Sequence, residues 1–218
     1  MRDIARFVGL DLRSIRPNAK YMIIPVGIVV VPFLLFLGPY LLIPAISGLA
    51  VLSAPSSLFA NDERGRLDTL YTALGIRRSQ VVAGRYATCL LLLIAFTIAG
   101  VILAPVVALA FGAAFDWAIA AALTAGTVAL VIILLAVGLP AYFGTGPGPV
   151  RVVVAALHAI ILTAVFLVSA VPDVRSALLS WLSDANLIWL ALAAFAILGA
   201  LGTASTAVSV RLYARRDL

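Results

Sequence analysis

Six long apolar segments constrain this chain more than any other feature of its sequence. Each is close to, or longer than, the roughly 20 apolar residues that an α-helix needs to cross the hydrocarbon core of a bilayer. The segments are Tyr21–Gly38, Tyr40–Ala60, Tyr86–Phe111, Trp117–Tyr142, Val152–Val171 and Leu187–Val210. Only Gly38 and Pro39 divide the first two, which predicts a tight hairpin there. The pattern predicts an all-α integral membrane protein with six transmembrane helices, in one domain over residues 1–218.

Composition excludes several other classes of protein. Hydrophobic residues make up 64% of the 218 residues and charged residues 11%, whereas soluble chains carry about 25% charged residues. A soluble enzyme with a polar surface is therefore excluded. Cys89 is the single cysteine, so a disulfide-stapled secreted domain is excluded too. The apolar segments lack the polar–apolar alternation of an outer-membrane barrel.

The positions of the basic residues predict how the chain is oriented. The net charge is +6, but the sequence has no nucleic-acid-binding motif, and the basic residues stand beside apolar segments. With a cytoplasmic N-terminus and six crossings, all of the 15 basic residues except Arg175 fall on the cytoplasmic side. This is the positive-inside bias of membrane proteins. It predicts a multi-pass protein of the cell membrane with both termini cytoplasmic, whose arginines contact membrane lipids and not nucleic acid.

Two segments that do not cross the membrane are predicted to form accessory helices. In residues 1–20, apolar side chains recur at helical spacing, which predicts an interfacial helix that Pro17 ends; the alternative is an unstructured basic arm that only orients insertion. The apolar positions are Ile4, Phe7, Val8, Leu12 and Ile15. Residues 172–186, between the last two spans, are predicted to form a short external helix on the outer leaflet.

The longest cytoplasmic connection, residues 61–80, predicts a third accessory helix. Asn61 is placed to cap its N-terminus, acidic residues follow in the first turn, and Gly75 is placed to end it. Leu67, Leu70, Tyr71 and Leu74 then fall on one helical face. Such a helix either stands in the cytosol or lies back on the membrane surface, and the pattern does not separate these two. Further on, Arg85 is expected to extend toward the membrane interface.

The spans contain few chemically active side chains. All nine acidic residues lie in loops, interfacial segments or termini, so the sequence predicts no buried proton or sodium site. Apart from Cys89, His158 is the only titratable group within the spans. It either lines a substrate path or forms a neutral hydrogen bond to a neighbouring helix. One histidine and one cysteine do not make an ordinary zinc site, and the glycine-rich loop at residues 144–149 lacks the lysine of a phosphate-binding loop. The sequence predicts no catalytic, cofactor-binding or metal-binding residue.

One stretch of sequence carries a family resemblance. Residues 58–86 run from Leu58-Phe-Ala-Asn-Asp-Glu-Arg through a Leu-Tyr helix to Val81-Val-Ala-Gly-Arg-Tyr86. This stretch resembles the type-2 ATP-binding-cassette (ABC) exporter permeases, in particular small six-span bacterial members. The opening Asp11-Leu-Arg-Ser-Ile-Arg16 is also similar to that family. Gly75 stands where many relatives have proline.

The resemblance implies a mechanism. In that family the helix between spans 2 and 3 is a coupling helix that docks onto a separate ATPase subunit. It implies that ATP and Mg²⁺ are bound by that partner and none by this chain, which is a transport subunit and not an enzyme. The residues it implies for the ATPase contact are Asp62, Glu63, Arg64, Arg66, Leu67, Asp68, Leu70, Tyr71 and Leu74, with the apolar ones facing either the ATPase or the base of the bundle. A second permease copy, or a similar permease, is expected to complete the pathway.

The lack of buried ionisable groups helps to rank the functions. An ion-coupled carrier usually needs charged residues within the membrane, and a membrane enzyme needs clustered catalytic groups. An ATPase-driven exporter needs neither, because force reaches it through protein contact. The leading hypothesis is therefore an exporter permease in the bacterial plasma membrane for an amphipathic or hydrophobic substrate, such as an antimicrobial peptide, a drug or a lipid. A passive channel or membrane scaffold is the alternative.

Overall fold

The structure is a computed structural model that describes residues 2–15, 39–65, 67, 70–71, 75–150, 152–154, 156–157, 160, 171, 173, 176, 180 and 187–215. Within these residues the regular structure is helical, with no β-strand. The predicted all-α class is therefore confirmed. The predicted first span, most of the predicted fifth span, and most of the external helix at residues 172–186 lie outside the described residues.

The N-terminal helix α1 (Arg2–Ile15) is amphipathic, as its spacing predicts. The face that it buries differs from the predicted one. Phe7, Asp11 and Ile15 are buried, at successive i, i+4 positions that share one face, whereas Leu12 is exposed. This buried face packs against other helices of the protein, so contact with protein decides which residues of α1 are inside.

The next helical segment is irregular at its beginning. A 3₁₀ turn at Pro39–Leu41 leads into a short α-turn at Leu42–Pro44 and a π-helical turn at Ala45–Leu49. Pro44 lacks a backbone N–H, so a regular α-helical hydrogen bond is missing where the π-turn begins. The segment then becomes α2 (Ala50–Gly65), which continues through Pro55.

Three long helices form the remainder of the described bundle. They are α3 (Arg78–Ala110), α4 (Trp117–Thr145) and α5 (Leu187–Ala214). Within the described part of the chain, these three helices, the third counted from Ala191, are long and apolar enough to cross a membrane. Prolines at 105 and 140 lie inside α3 and α4 without ending them. The predicted plan of six spans stays a prediction.

Helix packing places two chemically different ends on the bundle. α5 packs along α4, and α1 packs on the first turns of α3 beside the end of α2. We call this the charged end, because Asp11 of α1, Asp62 of α2 and Arg85 of α3 meet there. At the opposite, aromatic end, Tyr40 stacks on Phe115, which meets Trp117 edge to face. There Asp116 caps α4 through a 2.7 Å hydrogen bond from Ala118 N.

Candidate functional site

The most unusual feature of the described structure is an arginine buried at the charged end. Arg85 lies two turns into α3, and its side chain is 2% exposed. Its Nη1 donates to Asp11 Oδ1 of α1 over 2.7 Å, and its Nη2 donates to Asp62 Oδ2 of α2. A buried charge is tolerated only when it is paired and hydrogen-bonded, and this one is paired twice. We call Asp11, Asp62, Tyr71, Arg85 and Thr88 the arginine cluster.

Each carboxylate of the cluster is carried inward by the apolar residues on its own helix. Asp11 lies one turn from both Phe7 and Ile15, which are buried. Asp62 follows Leu58 by four residues and Phe59 by three, and both of these are buried as well. Residues at i, i+3 and i+4 share a helix face, so burying the apolar side chains also buries the acids.

Two aromatic rings enclose the guanidinium. Arg85 Cζ lies 5.4 Å from the centroid of the Phe7 ring and 5.5 Å from that of Phe59. These are cation–π distances, and the attraction is greater where water is excluded. Gly84 makes room for this packing, because a Cβ at that position would lie 2.3 Å from Phe7 Cδ1. A side chain at residue 84 would therefore push α1 away from α3.

Tyr71 attaches the connection between α2 and α3 to the cluster. Its hydroxyl donates to Asp62 Oδ1 over 3.3 Å, and its ring lies 5.3 Å from that of Phe7. Gly75 then adopts a positive φ of 69°, and Ile76 N donates to Tyr71 O over 3.0 Å. A glycine with positive φ and this 6→1 hydrogen bond are the signature of a Schellman helix end. The predicted role of Gly75 as a helix terminator is confirmed.

Burial dominates the electrostatics of the cluster. Burial and, to a smaller extent, the neighbouring Asp62 carboxylate together raise the pKa of Asp11 from 3.8 to about 6. Arg85 and the hydroxyl of Thr88, 3.1 Å from Asp11 Oδ2, act in the opposite direction. Burial and the Asp62 charge also raise the pKa of Tyr71, so its hydroxyl stays a hydrogen-bond donor at neutral pH.

Further hydrogen bonds join the same helices. Asn61 Nδ2 donates to Ser14 O of α1 over 3.3 Å. Arg78, at the start of α3, donates from Nη1 to the backbone oxygens of Tyr213 (2.9 Å) and Ala214 (2.7 Å) at the end of α5. A cation on the last carbonyls of a helix satisfies groups that have no partner within the helix. The charged end thus ties α1, α2, α3 and α5 together.

A second polar network lies along the contact of α3 with α5. Tyr86 Oη is 2.5 Å from Ser205 Oγ and 2.9 Å from Ser209 Oγ. Ser205 Oγ in turn donates to Ala136 O of α4 over 2.6 Å. Hydrogen bonds of this kind between apolar helices hold a membrane bundle in one register.

The described residues among those predicted to contact an ATPase differ in their exposure. Glu63, Arg64 and Leu70 are exposed, with Leu70 49% exposed, whereas Asp62 and Tyr71 are buried in the arginine cluster. Leu67 is half-buried and packs against the core at the charged end. Arg66, Asp68, Leu74 and the predicted path residue His158 lie outside the described residues. Whether the exposed group contacts an ATPase stays a prediction.

Three expectations from the sequence are wrong. Asn61 does not cap a new helix, because α2 continues through it to Gly65. Arg85 does not extend to the membrane interface but is enclosed by protein. The expectation that the acidic residues form no buried site is also wrong, since Asp11 and Asp62 are both buried beside Arg85. The available signal was incomplete: each acid shares a helix face with large apolar residues, but its partner Arg85 lies far away in the sequence.

The cluster joins segments of the chain through ion pairs and hydrogen bonds. Among the described residues, no three His, Cys, Asp or Glu side chains are grouped so that they could hold a metal ion. Cys89 is buried as a free thiol. The Arg85 guanidinium connects α1 and α2 to α3, and Asp62 connects Tyr71 to the same cluster.

Comparison with known proteins agrees with this architecture. A sequence model of the family described as ABC-2 family transporter protein matches residues 8–214. No curated protein and no solved structure matches the chain significantly. The family match extends from α1 to the end of α5 and so includes the whole arginine cluster. Members of this family are membrane permeases that associate in general with ABC ATPases. The chain belongs to the ABC-2 transporter family and is a membrane permease of an ABC transporter.

Proposed function

We propose that this chain is the permease subunit of an ATP-driven exporter, and that the segment from Asp62 to Leu74 receives the force of a separate ATPase. The observation that carries the proposal is the arginine cluster. It fixes both ends of the described part of this segment, Asp62 and Tyr71, to the first turns of α3 through Arg85. A segment that an ATPase moves can drive transport only if it moves the membrane helices with it.

The exposed side chains next to the cluster are suited to docking. Glu63, Arg64 and Leu70 form what we call the docking face: one acid, one base and one large apolar side chain, all exposed at the charged end. Interfaces usually combine an apolar anchor with polar groups around it. Leu70 is the anchor in this proposal, and the charges of Glu63 and Arg64 select the partner.

The remainder of the proposed assembly follows from the chain's composition and charges. Two ATPase subunits bind ATP and Mg²⁺, and this chain contributes no catalysis. A second permease, identical or similar, completes the pathway in the bacterial plasma membrane, with six spans per chain and both termini cytoplasmic. Exposed apolar side chains on the outer half of α5 support contact of this helix with the membrane or with a second permease. Trp189, Phe195 and Ile197 are 69%, 80% and 60% exposed. Such side chains need lipid or another apolar helix as a neighbour. We propose an amphipathic or hydrophobic substrate.

The docking role is tested by Leu70→Asp. Leu70 is exposed, so the substitution leaves folding intact, whereas a change at Tyr71 would disrupt the core. Loss of an interface anchor costs about 2 kcal/mol or more, which is roughly a 30-fold loss of affinity. The tagged chain is purified from its own membranes in mild detergent. ATP hydrolysis in the eluate is measured, and the proteins present are identified by mass spectrometry.

Ser79→Asp is the matched control, because it adds the same charge at another exposed position of the charged end. We expect an ABC ATPase to co-purify with the wild type and with the control, and to be lost with Leu70→Asp. Equal ATPase recovery with all three chains would contradict the docking role. Transport by purified wild-type chain without ATP would favour a passive channel.

A further inference from the structure

We propose that Phe59 is a positioning residue, through which movement of Asp62 and the connection that follows it reaches the ends of α4 and α5. The inference rests on the proposed function, because an ATPase must supply the movement. What it adds is a route through the bundle. The arginine cluster joins the connection to α1 and α3, whereas the Phe59 ring joins it to α4 and, beyond α4, to α5.

The backbone of α2 makes Phe59 move together with Asp62. α2 is continuous from Ala50 to Gly65, and Phe59 lies three residues before Asp62, on the same side of the helix. A helical turn is held by its own backbone hydrogen bonds, so a rotation or shift of Asp62 displaces the Phe59 ring as well. Phe59 also contacts the cluster directly, because Arg85 Cζ lies 5.5 Å from the centre of its ring.

Two rings of α4 hold the Phe59 ring from different directions. Phe59 is stacked on Tyr142, with ring centres 5.1 Å apart and ring planes 11° apart. Phe143 meets Phe59 edge to face, at 4.9 Å and 85°. All three side chains are buried, with Phe59 6% exposed and the other two 2% exposed. Because protein interiors are close-packed, a displaced Phe59 ring has to push against the rings of α4.

The contact continues from α4 to the end of α5. The ring of Phe143 lies 5.3 Å from that of Tyr213, which is buried as well. The backbone of Tyr213 is fixed in turn, because Arg78 Nη1 donates to its oxygen over 2.9 Å. α5 also packs along α4. A shift at the end of α4 therefore reaches the last turns of α5.

Ordinary core packing makes a different prediction from this route. A side chain that only fills space can be replaced by another apolar side chain of similar volume with little effect. A rigid ring passes a displacement to its neighbours, whereas the flexible methionine side chain adapts to it. Phe59→Met separates the two roles, because it keeps an apolar side chain in the core and removes the stacked and the edge-to-face contacts.

The test uses the full chain together with the ATPase that co-purifies with it in mild detergent. Hydrogen–deuterium exchange of the amides at residues 208–214, in the last turns of α5, is measured without nucleotide and with ATP and orthovanadate. We expect a nucleotide-dependent change in the wild-type complex and its loss in Phe59→Met, with the same amount of ATPase recovered. A purely structural effect would instead alter exchange equally in both conditions, so the difference between them reports coupling.

Leu58→Met is the matched control. Leu58 is the neighbouring residue and is 1% exposed, but it packs with Ile15 of α1 and Leu92 of α3. This variant should retain the wild-type response of α5. Phe143→Met breaks the next contact of the route and should lose the response as Phe59→Met does, which gives an independent test if one of the two variants is unstable.

The outcomes separate this inference from the proposed function. A nucleotide response that is retained in Phe59→Met or Phe143→Met, or that is lost equally in Leu58→Met, would overturn the role of Phe59 and leave the ATPase partnership intact. A wild-type complex without any nucleotide-dependent change at residues 208–214 would overturn the route to α5. Absence of an ABC ATPase from the wild-type eluate would overturn both proposals.

Discussion

Replacing Arg85 with methionine is the most informative perturbation of this protein. Methionine keeps the length and the apolar stem of the side chain but removes the charge. The substitution breaks the ion pairs to Asp11 and Asp62 together, and it ends the cation–π contacts with Phe7 and Phe59. Asp11 and Asp62 then stay buried without the guanidinium that lies between them.

The expected cost follows from what is left behind. Removing one partner of a buried ion pair destabilises a protein by about 3–5 kcal/mol, because the remaining charge is buried without compensation. For a chain of this size, 1 kcal/mol shifts the unfolding midpoint by roughly 2–4 °C. Arg85→Met should therefore lower the midpoint by roughly 6–20 °C.

The assay is thermal unfolding of the detergent-solubilised chain, followed by the loss of its monodisperse peak in size-exclusion chromatography at pH 7.5. Arg64→Met is the matched control, since Arg64 is exposed on α2 close to Asp62; it should change the midpoint little. A triple variant that also carries Asp11→Asn and Asp62→Asn should recover at least half of the loss, because no buried charge remains.

Two results would refute this reasoning. If Arg85→Met unfolded within about 2 °C of the wild type, the guanidinium could not be holding the charged end together. If the triple variant were no more stable than the single one, the cost would come from lost packing of the arginine stem and not from the uncompensated carboxylates.

Three smaller perturbations test neighbouring features, each read as a change in the thermal midpoint. Gly84→Ala should destabilise the chain by about 1–3 kcal/mol, because its methyl group collides with Phe7; Gly126→Ala, where a Cβ meets nothing within 4 Å, should be neutral or stabilising, and equal effects would contradict the steric argument. Tyr86→Phe removes the hydroxyl that bonds two serines of α5 and should cost about 0.6 kcal/mol, so no measurable change would mean that the network is unimportant for stability. Gly75→Ala should cost about 1–2 kcal/mol, because an L-residue is forced into a left-handed turn, and a gain in stability would contradict the observed φ.

The main architecture was predictable because it depends on local properties of the chain. The length and the apolar character of a segment determine whether its helix can cross a bilayer, and neither of these depends on the partners of that helix. The sequence alone therefore predicted a helical membrane protein, the extent of α3, α4 and α5 to within several residues, and the turn at Gly75. The residues at 58–86 also carried the family resemblance that the match over residues 8–214 confirms.

The inward and outward faces of the helices were not predictable in the same way. On a helix of a soluble protein, polar residues mark the face toward water. Here lipid and protein interior are both apolar, so the polarity of α3 and α4 is almost the same all around the helix. On α1, polar and apolar residues do lie on different faces, but the pattern predicted the wrong buried face for another reason. Asp11 shares a face with Phe7 and Ile15. Without knowledge of its cationic partner, a charged residue is not expected on a buried face.

Only the tertiary structure shows that Arg85 is the partner of Asp11. Arg85 lies 74 residues from Asp11 and 23 residues from Asp62 along the chain, and no local pattern relates positions so far apart. Their charges compensate one another because α1, α2 and α3 converge at one end of the bundle, where burial makes an unpaired charge too costly to keep. The helical and membrane-spanning character of the chain follows from the sequence itself, whereas the buried arginine cluster results from the way the helices pack.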